Sequence, residues 1–254
     1  MLISKSRIFS IIPAAVQIPL RYWLHAVLGL LEPELQILPD LLRSGEQAID
    51  IGANKGIYTY RLRKHGLRVH AFEPNSSCAE VLSHWGKYDQ MLSVHTNALG
   101  DRIGTVILQI PIDSQGHEHN SSSSIKPNAF QKARCVNVNI TTLDSFRFSN
   151  ISFIKIDVEG AEYEVLKGAM STLLENAPAL LVEIERRHAN DSFLSTFDLL
   201  EANGYLCFFL KDGYLKKIDQ FDEKSNQCLE NLGSSSGAYI NTVSYTHLTL
   251  PTIL

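Results

Sequence analysis

The stretch "AIDIGANKGIYTYRLRKHGLRVHAFEPN", residues 48–75, decides how this chain folds. "AIDI" is an apolar strand, "GIYTYRLRKHG" a helix closed by Gly66, and "LRVHAF" a second strand that runs into Glu73. Together they make a βαβ unit, whose ligands sit at the carboxyl ends of parallel strands. The alternation continues outward. A helix from Ser76 to about Trp85 leads to the strand "LSVHTNAL" (92–99). "ISFIKIDV" (151–158) precedes a helix in which Val165, Leu166, Ala169, Met170 and Leu173 share one face. "ALLVEIE" (179–185), a helix near Phe193–Ala202 and a hairpin of "YLCFFL" and "YLKKI" around Asp212-Gly213 complete the series. This pattern predicts an open, doubly wound α/β domain with a mostly parallel sheet covered on both faces. Between the third and fourth core strands, "TVILQIPI" (105–112) and "CVNVNI" (135–140) alternate with period two. They read as inserted strands, and the loop linking them, with Ser121–Ser124, is of the kind that covers substrates.

The totals narrow the function classes. A chain of 254 residues holds one sizeable core, and its formal net charge of −4 lacks the basic footprint that nucleic-acid phosphates require. Cys78, Cys135, Cys207 and Cys228 are widely spaced, so they read as reduced thiols of a cytoplasmic protein rather than disulfides or a zinc site. At the N-terminus, Lys5 and Arg7 precede "IFSIIPAAVQIPL" (8–20), which two prolines interrupt. The run is short of the ~18 apolar residues of a spanning helix and lacks a cleavage pattern. Residues 1–45 therefore read as a helical extension packed on a domain of residues 46–242, with peripheral membrane contact through residues 1–31 as the alternative. The last run, "VSYTHLTLPTIL" (243–254), resembles translated adapter sequence and reads as a non-native tail. "AYINTVS" (238–244) is then all that could supply a final strand.

The glycine turn limits the ligand. A dinucleotide fingerprint needs a second glycine to let the backbone approach a pyrophosphate, and Asn54 occupies that place in Gly52-Ala53-Asn54-Lys55-Gly56. No Gly-Lys-Ser/Thr follows either, so a P-loop is excluded. Glu73, 21 residues after Gly52, stands where a carboxylate can accept from both hydroxyls of a ribose. Asp50, at the end of a buried strand, needs a cation or donors, or serves as a turn residue. S-adenosyl-L-methionine, with an adenosine, an ammonium and a sulfonium but no phosphate, suits these acids better than NAD does.

At this point the motifs "IDIGANKGIYT", "AFEPN", "NALGD", "TLDSF" and "FIKIDVEGAEYEVLKGA" occur in order, and the chain resembles the FkbM family of S-adenosyl-L-methionine-dependent methyltransferases. The likeness runs over about residues 47–188. It implies a seven-stranded class I fold and methyl transfer, usually to a hydroxyl oxygen of a small molecule or carbohydrate. Position by position, it places Asp50, Gly52, Asn54 and Gly56 in the first cofactor motif and Glu73 on the ribose. Asn97 with Ala98 falls where the adenine edge is read, although a strand-end turn would also use an Asn.

The central strands carry charges that propensity disfavours. Period two puts Lys155, Asp157 and Glu159 on one side of "FIKIDVEGAE", and Glu183 and Glu185 break the neighbouring strand in the same way. Buried charges must be paired, so Lys155 is expected to pair with Glu183 or Glu185. Asp157 is the first candidate for the base or orienter of an acceptor hydroxyl, with Glu159 and Glu162 next and Lys155 as a fixer of carboxylates. The plain alternative is an ion-pair network that shapes the turn, and His188 reads as structural. "HEH" (117–119) offers two histidines but no third ligand at a fixed spacing, so no metal is expected. The remaining rivals are a non-catalytic nucleoside-binding module of the same fold and a nicotinamide-dependent oxidoreductase.

Overall fold

The structure, a computed structural model, describes residues 12–43, 46–127, 129–185, 188, 192–227 and 242–247. The first eleven residues and the end of the suspected tail lie outside the described residues. The helices are α1 (Ala14–Val27), α2 (Leu38–Leu41), α3 (Ile57–Lys64), α4 (Ser76–Gly86), α5 (Glu162–Lys167), α6 (Met170–Asn176), α7 (Ser192–Ala202) and α8 (Glu223–Asn226). The strands are β1 (Gln47–Ile51), β2 (Arg68–Phe72), β3 (Leu92–His95), β4 (Ala98–Leu99), β5 (Gly104–Pro111), β6 (Ala133–Thr141), β7 (Ile151–Ile156), β8 (Ala179–Glu183), β9 (Tyr205–Lys211), β10 (Tyr214–Lys217) and β11 (Thr242–His247).

The main sheet runs β10-β9-β11-β8-β7-β1-β2-β3. β3, β2, β1, β7 and β8 are parallel, while β11 is antiparallel to both β8 and β9. Eight strands replace the expected seven because the Asp212-Gly213 hairpin adds β10 to the edge. Both turn residues have positive φ, 54° and 79°, which the tight hairpin requires. The final strand lies four residues beyond the start of "AYINTVS" and takes in residues 243–247 of the suspected tail. The third strand also differs, since "LSVHTNAL" splits at Thr96-Asn97. β3 stays on the edge of the main sheet, and β4 leaves to pair with β6 of a second sheet ordered β4-β6-β5. β5 and β6 form the inserted hairpin, antiparallel from Gly104↔Ile140 to Pro111↔Ala133.

The strand alternation builds two cores. Ile49, Ile51, Ile154, Ile156, Leu180 and Val182 face one side, where α5, α6 and α7 cover them with Val165, Leu173 and Phe197. Ala48, Phe153 and Leu181 face the other, against Ile18 of α1, Leu62 of α3 and Leu82 of α4. Each fully buried aliphatic side chain contributes about 2 kcal/mol. Helix α1 therefore belongs to the domain, and Pro19 is accommodated inside it without ending it. The chain reverses direction of travel across the sheet between β1 and β7, the switch point that opens a crevice at the strands' carboxyl ends.

Candidate active site

A cavity of about 570 Å³, open to solvent, occupies that crevice. Ile51 and Gly52 at the end of β1, Phe72 and Glu73 at the end of β2, Asn97 to Leu99, and Asp157 to Glu159 after β7 line it, with Asn120 and Ser123 of the insertion above. Of the residues expected at the cofactor, Gly52, Asn54, Glu73, Asn97 and Ala98 come together here. Glu73 is only 6% exposed. Its Oε2 accepts from the Asn54 N–H (2.7 Å) and its Oε1 from the Asn75 N–H (2.8 Å). Burial pushes its carboxyl up to about 7 in spite of those two bonds, with Asp157 and Asp50 adding to the rise. A buried carboxylate short of donors at the mouth of this cavity fits a ribose, whose hydroxyls are donors. Asn97 has both a donor and an acceptor for an adenine edge.

Asp50 and Gly56 lie elsewhere. Asp50 does not line the cavity. It is fully buried on the α3 face, where its Oδ2 accepts from the Thr59 hydroxyl (2.6 Å) and its Oδ1 has no hydrogen-bond partner. Burial raises its carboxyl, and Lys155, opposite it in the β1–β7 register, offsets part of that. A side chain at the fourth residue of β1 points into a core, where it faces this internal cation. The glycines answer to packing. With φ at +76°, a Cβ on Gly52 would lie 1.7 Å from the Asp157 carbonyl oxygen, and one on Gly56 2.9 Å from both Ile18 and Leu82. Gly52 thus lets the ends of β1 and β7 close together, and Gly56 admits α1 and α4 against the turn. Asn54 takes a left-handed φ of 48°, which an Asn tolerates, and its backbone N–H reaches Glu73.

The charges of the central strands gather below the cavity. Lys155 is buried, with its Nζ 2.8 Å from Asp157 Oδ2 and 4.3 Å above the Tyr58 ring. Burial opposes its ammonium, yet Asp157, Glu32, Asp50 and Glu183 outweigh that and raise it above the ordinary lysine value. The ion pair is thus with Asp157, two residues on along the same face, and Glu183 acts on the ammonium from β8 through space. Tyr58 in turn donates to Glu32 Oε2 (2.6 Å), tying the N-terminal extension to this cluster.

Strand β7 stops at Ile156, so period two does not carry on to Glu159 as the sequence implies. Asp157 to Gly160 make a turn in which Glu159 adopts φ +54° and its Oε2 meets His188 Nε2 at 3.2 Å. Glu162 is buried and accepts from the Gly160 N–H (2.9 Å), and burial lifts its carboxyl to about 7. It holds the turn from below and lines a small recess together with Asp157 and Glu159. Asp157 has the widest reach. It lines the first cavity, a second of about 870 Å³ with Arg21, His25, Glu32, Lys55 and Tyr58, and a small recess with Glu159, Glu183, Glu185 and His188.

The insertion is fastened over the site by Ser123 and Ser124 of the serine run and by residues that sequence reasoning left unassigned. The Asn75 amide nitrogen donates to Asn120 Oδ1 (2.7 Å) and Ser123 Oγ (3.3 Å), while its Oδ1 caps α4 at Ser77 N–H. Ser124 Oγ donates to the Glu159 carbonyl (2.7 Å), and Lys126 pairs with Glu164 (2.7 Å). The only signal for Asn75 was its place in "AFEPN", one step before a helix. Tyr58 had only its place in "IDIGANKGIYT", and Glu32 and Arg21 had no signal. His117 and His119 both turn to Asp113 (3.3 Å each) in the exposed link of the insertion. Among the described residues, no group of three or more His, Cys, Asp or Glu could hold a metal ion.

A switch-point crevice with an acid after β2, an Asn after β3 and an antiparallel β11 between β8 and β9 is the arrangement of a Rossmann-like methyltransferase. Residues 50–207 match the methyltransferase FkbM domain, and the chain belongs to this family of S-adenosyl-L-methionine-dependent methyltransferases. None of the curated proteins matches the chain in sequence. Among solved structures, methyltransferase FkbM from Methylobacillus flagellatus KT is similar at 18% identity and a TM-score of 0.51, over 91% of this chain and 54% of that one. The chain thus spans about half the length of that relative. An rRNA methylase from Streptococcus thermophilus (11% identity, TM-score 0.48, 86% of this chain and 98% of that one) is also similar. So is a Streptococcus mutans chain crystallised in complex with SAH (10% identity, TM-score 0.47, 85% and 96%).

Proposed function

We propose that the chain transfers the methyl group of S-adenosyl-L-methionine to a hydroxyl oxygen of a small molecule or carbohydrate. What carries this reading is Asp157, a carboxylate that lines both the first and the second cavity. The first cavity suits the nucleoside, and the second is the acceptor's space. When bound, S-adenosyl-L-methionine supplies an electrophilic methyl on a sulfonium. Glu73 accepts from the ribose hydroxyls, and Asn97 with the Ala98 N–H reads the adenine edge. Lys155 holds Asp157 Oδ2, which leaves Oδ1 to orient the acceptor hydroxyl and take its proton. Glu159, with His188 beside it, is next in line to relay that proton.

The test combines calorimetry of S-adenosyl-L-methionine binding with transfer of its labelled methyl into fractionated cell extracts. Label in a small-molecule or carbohydrate fraction that survives mild base is the expected result, because ethers resist base and carboxyl methyl esters do not. Saturable binding with no transfer to any fraction would leave a non-catalytic nucleoside-binding module.

A further inference from the structure

Helix α1 buries one face and leaves the other bare. Ile18 is fully buried and the Tyr22 ring sits 5.0 Å from Tyr60. On the outer side Val16, Leu20, Trp23, Leu24 and Val27 recur at three- and four-residue steps, forming one apolar stripe that Leu28 and Leu30 extend. Trp23 is 59% and Val27 81% exposed. An apolar stripe alone fits several partners, and charge decides among them. All 27 acidic residues of the chain lie from Glu32 onward, so the first 31 residues carry Lys5, Arg7 and Arg21 with no acid, on a protein of net charge −4. Two copies of such a segment would bring like charges together. An exposed apolar face with a tryptophan on an acid-free basic segment matches an anionic lipid surface, where apolar burial and charge attraction add.

We propose that residues 1–31 dock the protein on an anionic bilayer surface, with α1 lying in the interface on its Val16–Val27 stripe. Among the described residues, no helix is long and apolar enough to cross a membrane, so the contact is peripheral. The same helix walls the second cavity through Arg21 and His25, which sets that cavity beside the lipid surface. The docking itself rests on no assignment of the acceptor.

The experiment is co-sedimentation of the full chain with vesicles of phosphatidylcholine and phosphatidylglycerol in equal parts, against phosphatidylcholine alone. Binding to the mixed vesicles that weakens with salt is expected. Leu24→Asp with Val27→Asp should weaken it on the order of tenfold or more, as should Lys5→Glu with Arg7→Glu. S-adenosyl-L-methionine binding serves as the control for folding, and it should be unchanged in both variants. Two outcomes overturn the proposal directly: no binding to the mixed vesicles, or binding indifferent to Leu24→Asp with Val27→Asp. A concentration-dependent dimer that Val27→Asp dissolves would overturn it too, and would assign the stripe to a second copy of the chain.

Discussion

Glu73 is an acid held where its charge is poorly supported, and that has consequences for pH. Its carboxyl sits at about 7 in the fold, above the ordinary glutamate value of 4.5. Between those values the folded chain keeps a proton that the unfolded chain has lost. Stability without ligand therefore falls as pH rises through this window and levels off above it. Glu162, also lifted to about 7, adds to the same slope. Ribose hydroxyls would supply the missing donors to the carboxylate, so affinity for S-adenosyl-L-methionine should climb from about pH 5 to about pH 7 and then flatten. Calorimetry across that range checks it, and Glu73→Gln should bind more weakly with no such climb. Asp157→Asn should lower the labelled-methyl transfer rate about 10²- to 10⁴-fold while binding of the donor changes only a few-fold. Lys155→Met strands Asp50 and Asp157 without their cation. It should cost about 3 to 5 kcal/mol, read as a loss in denaturant midpoint.

At the scale of elements, the site is a meeting of strand ends under a fastened hairpin. The Gly52 turn fits only because nothing protrudes toward Asp157. Gly52→Ala should cost about 4 kcal/mol or more, because the obstructing atoms are backbone. Gly56→Ala meets the ends of flexible side chains and should cost less, both being measurable by thermal unfolding. The insertion hangs on Asn75 and Ser124, whose bonds each contribute about 1 kcal/mol. The double variant Asn75→Ala with Ser124→Ala should raise amide hydrogen exchange around residues 120–125 and weaken donor binding several-fold.

For the whole molecule, two cores flank one sheet, and the N-terminal extension belongs to one of them. Ile18 packs into the core that also holds Leu62 and Leu82, and Glu32 reaches the buried Tyr58. Ile18→Ala should destabilise the entire domain by about 2 to 5 kcal/mol in a single unfolding transition, rather than loosen α1 alone. Separate transitions for α1 and the sheet in hydrogen exchange would contradict this.

Local pattern was enough to mark the strands and helices of the βαβ series, the inserted hairpin, the acid after β2 and the Asn after β3. Periodicity, turn residues and spacing are properties of a few consecutive residues, and the sequence alone determines them. The directions of individual side chains were a different matter. Asp50 read as an acid in need of a cation or donors, and only its pleat, pointing into the α3 core, shows that Thr59 and Lys155 face it. Glu159 read as a third member of a strand face until the backbone turned left-handed after Ile156. Which cation faces Asp50, why Gly52 must be a glycine, and that Asn75 and Glu32 belong to the site all depend on atoms brought together from distant parts of the chain. Only tertiary packing decided those, because a charge's partner is set by distance in space and by what burial excludes, neither of which has a local signature.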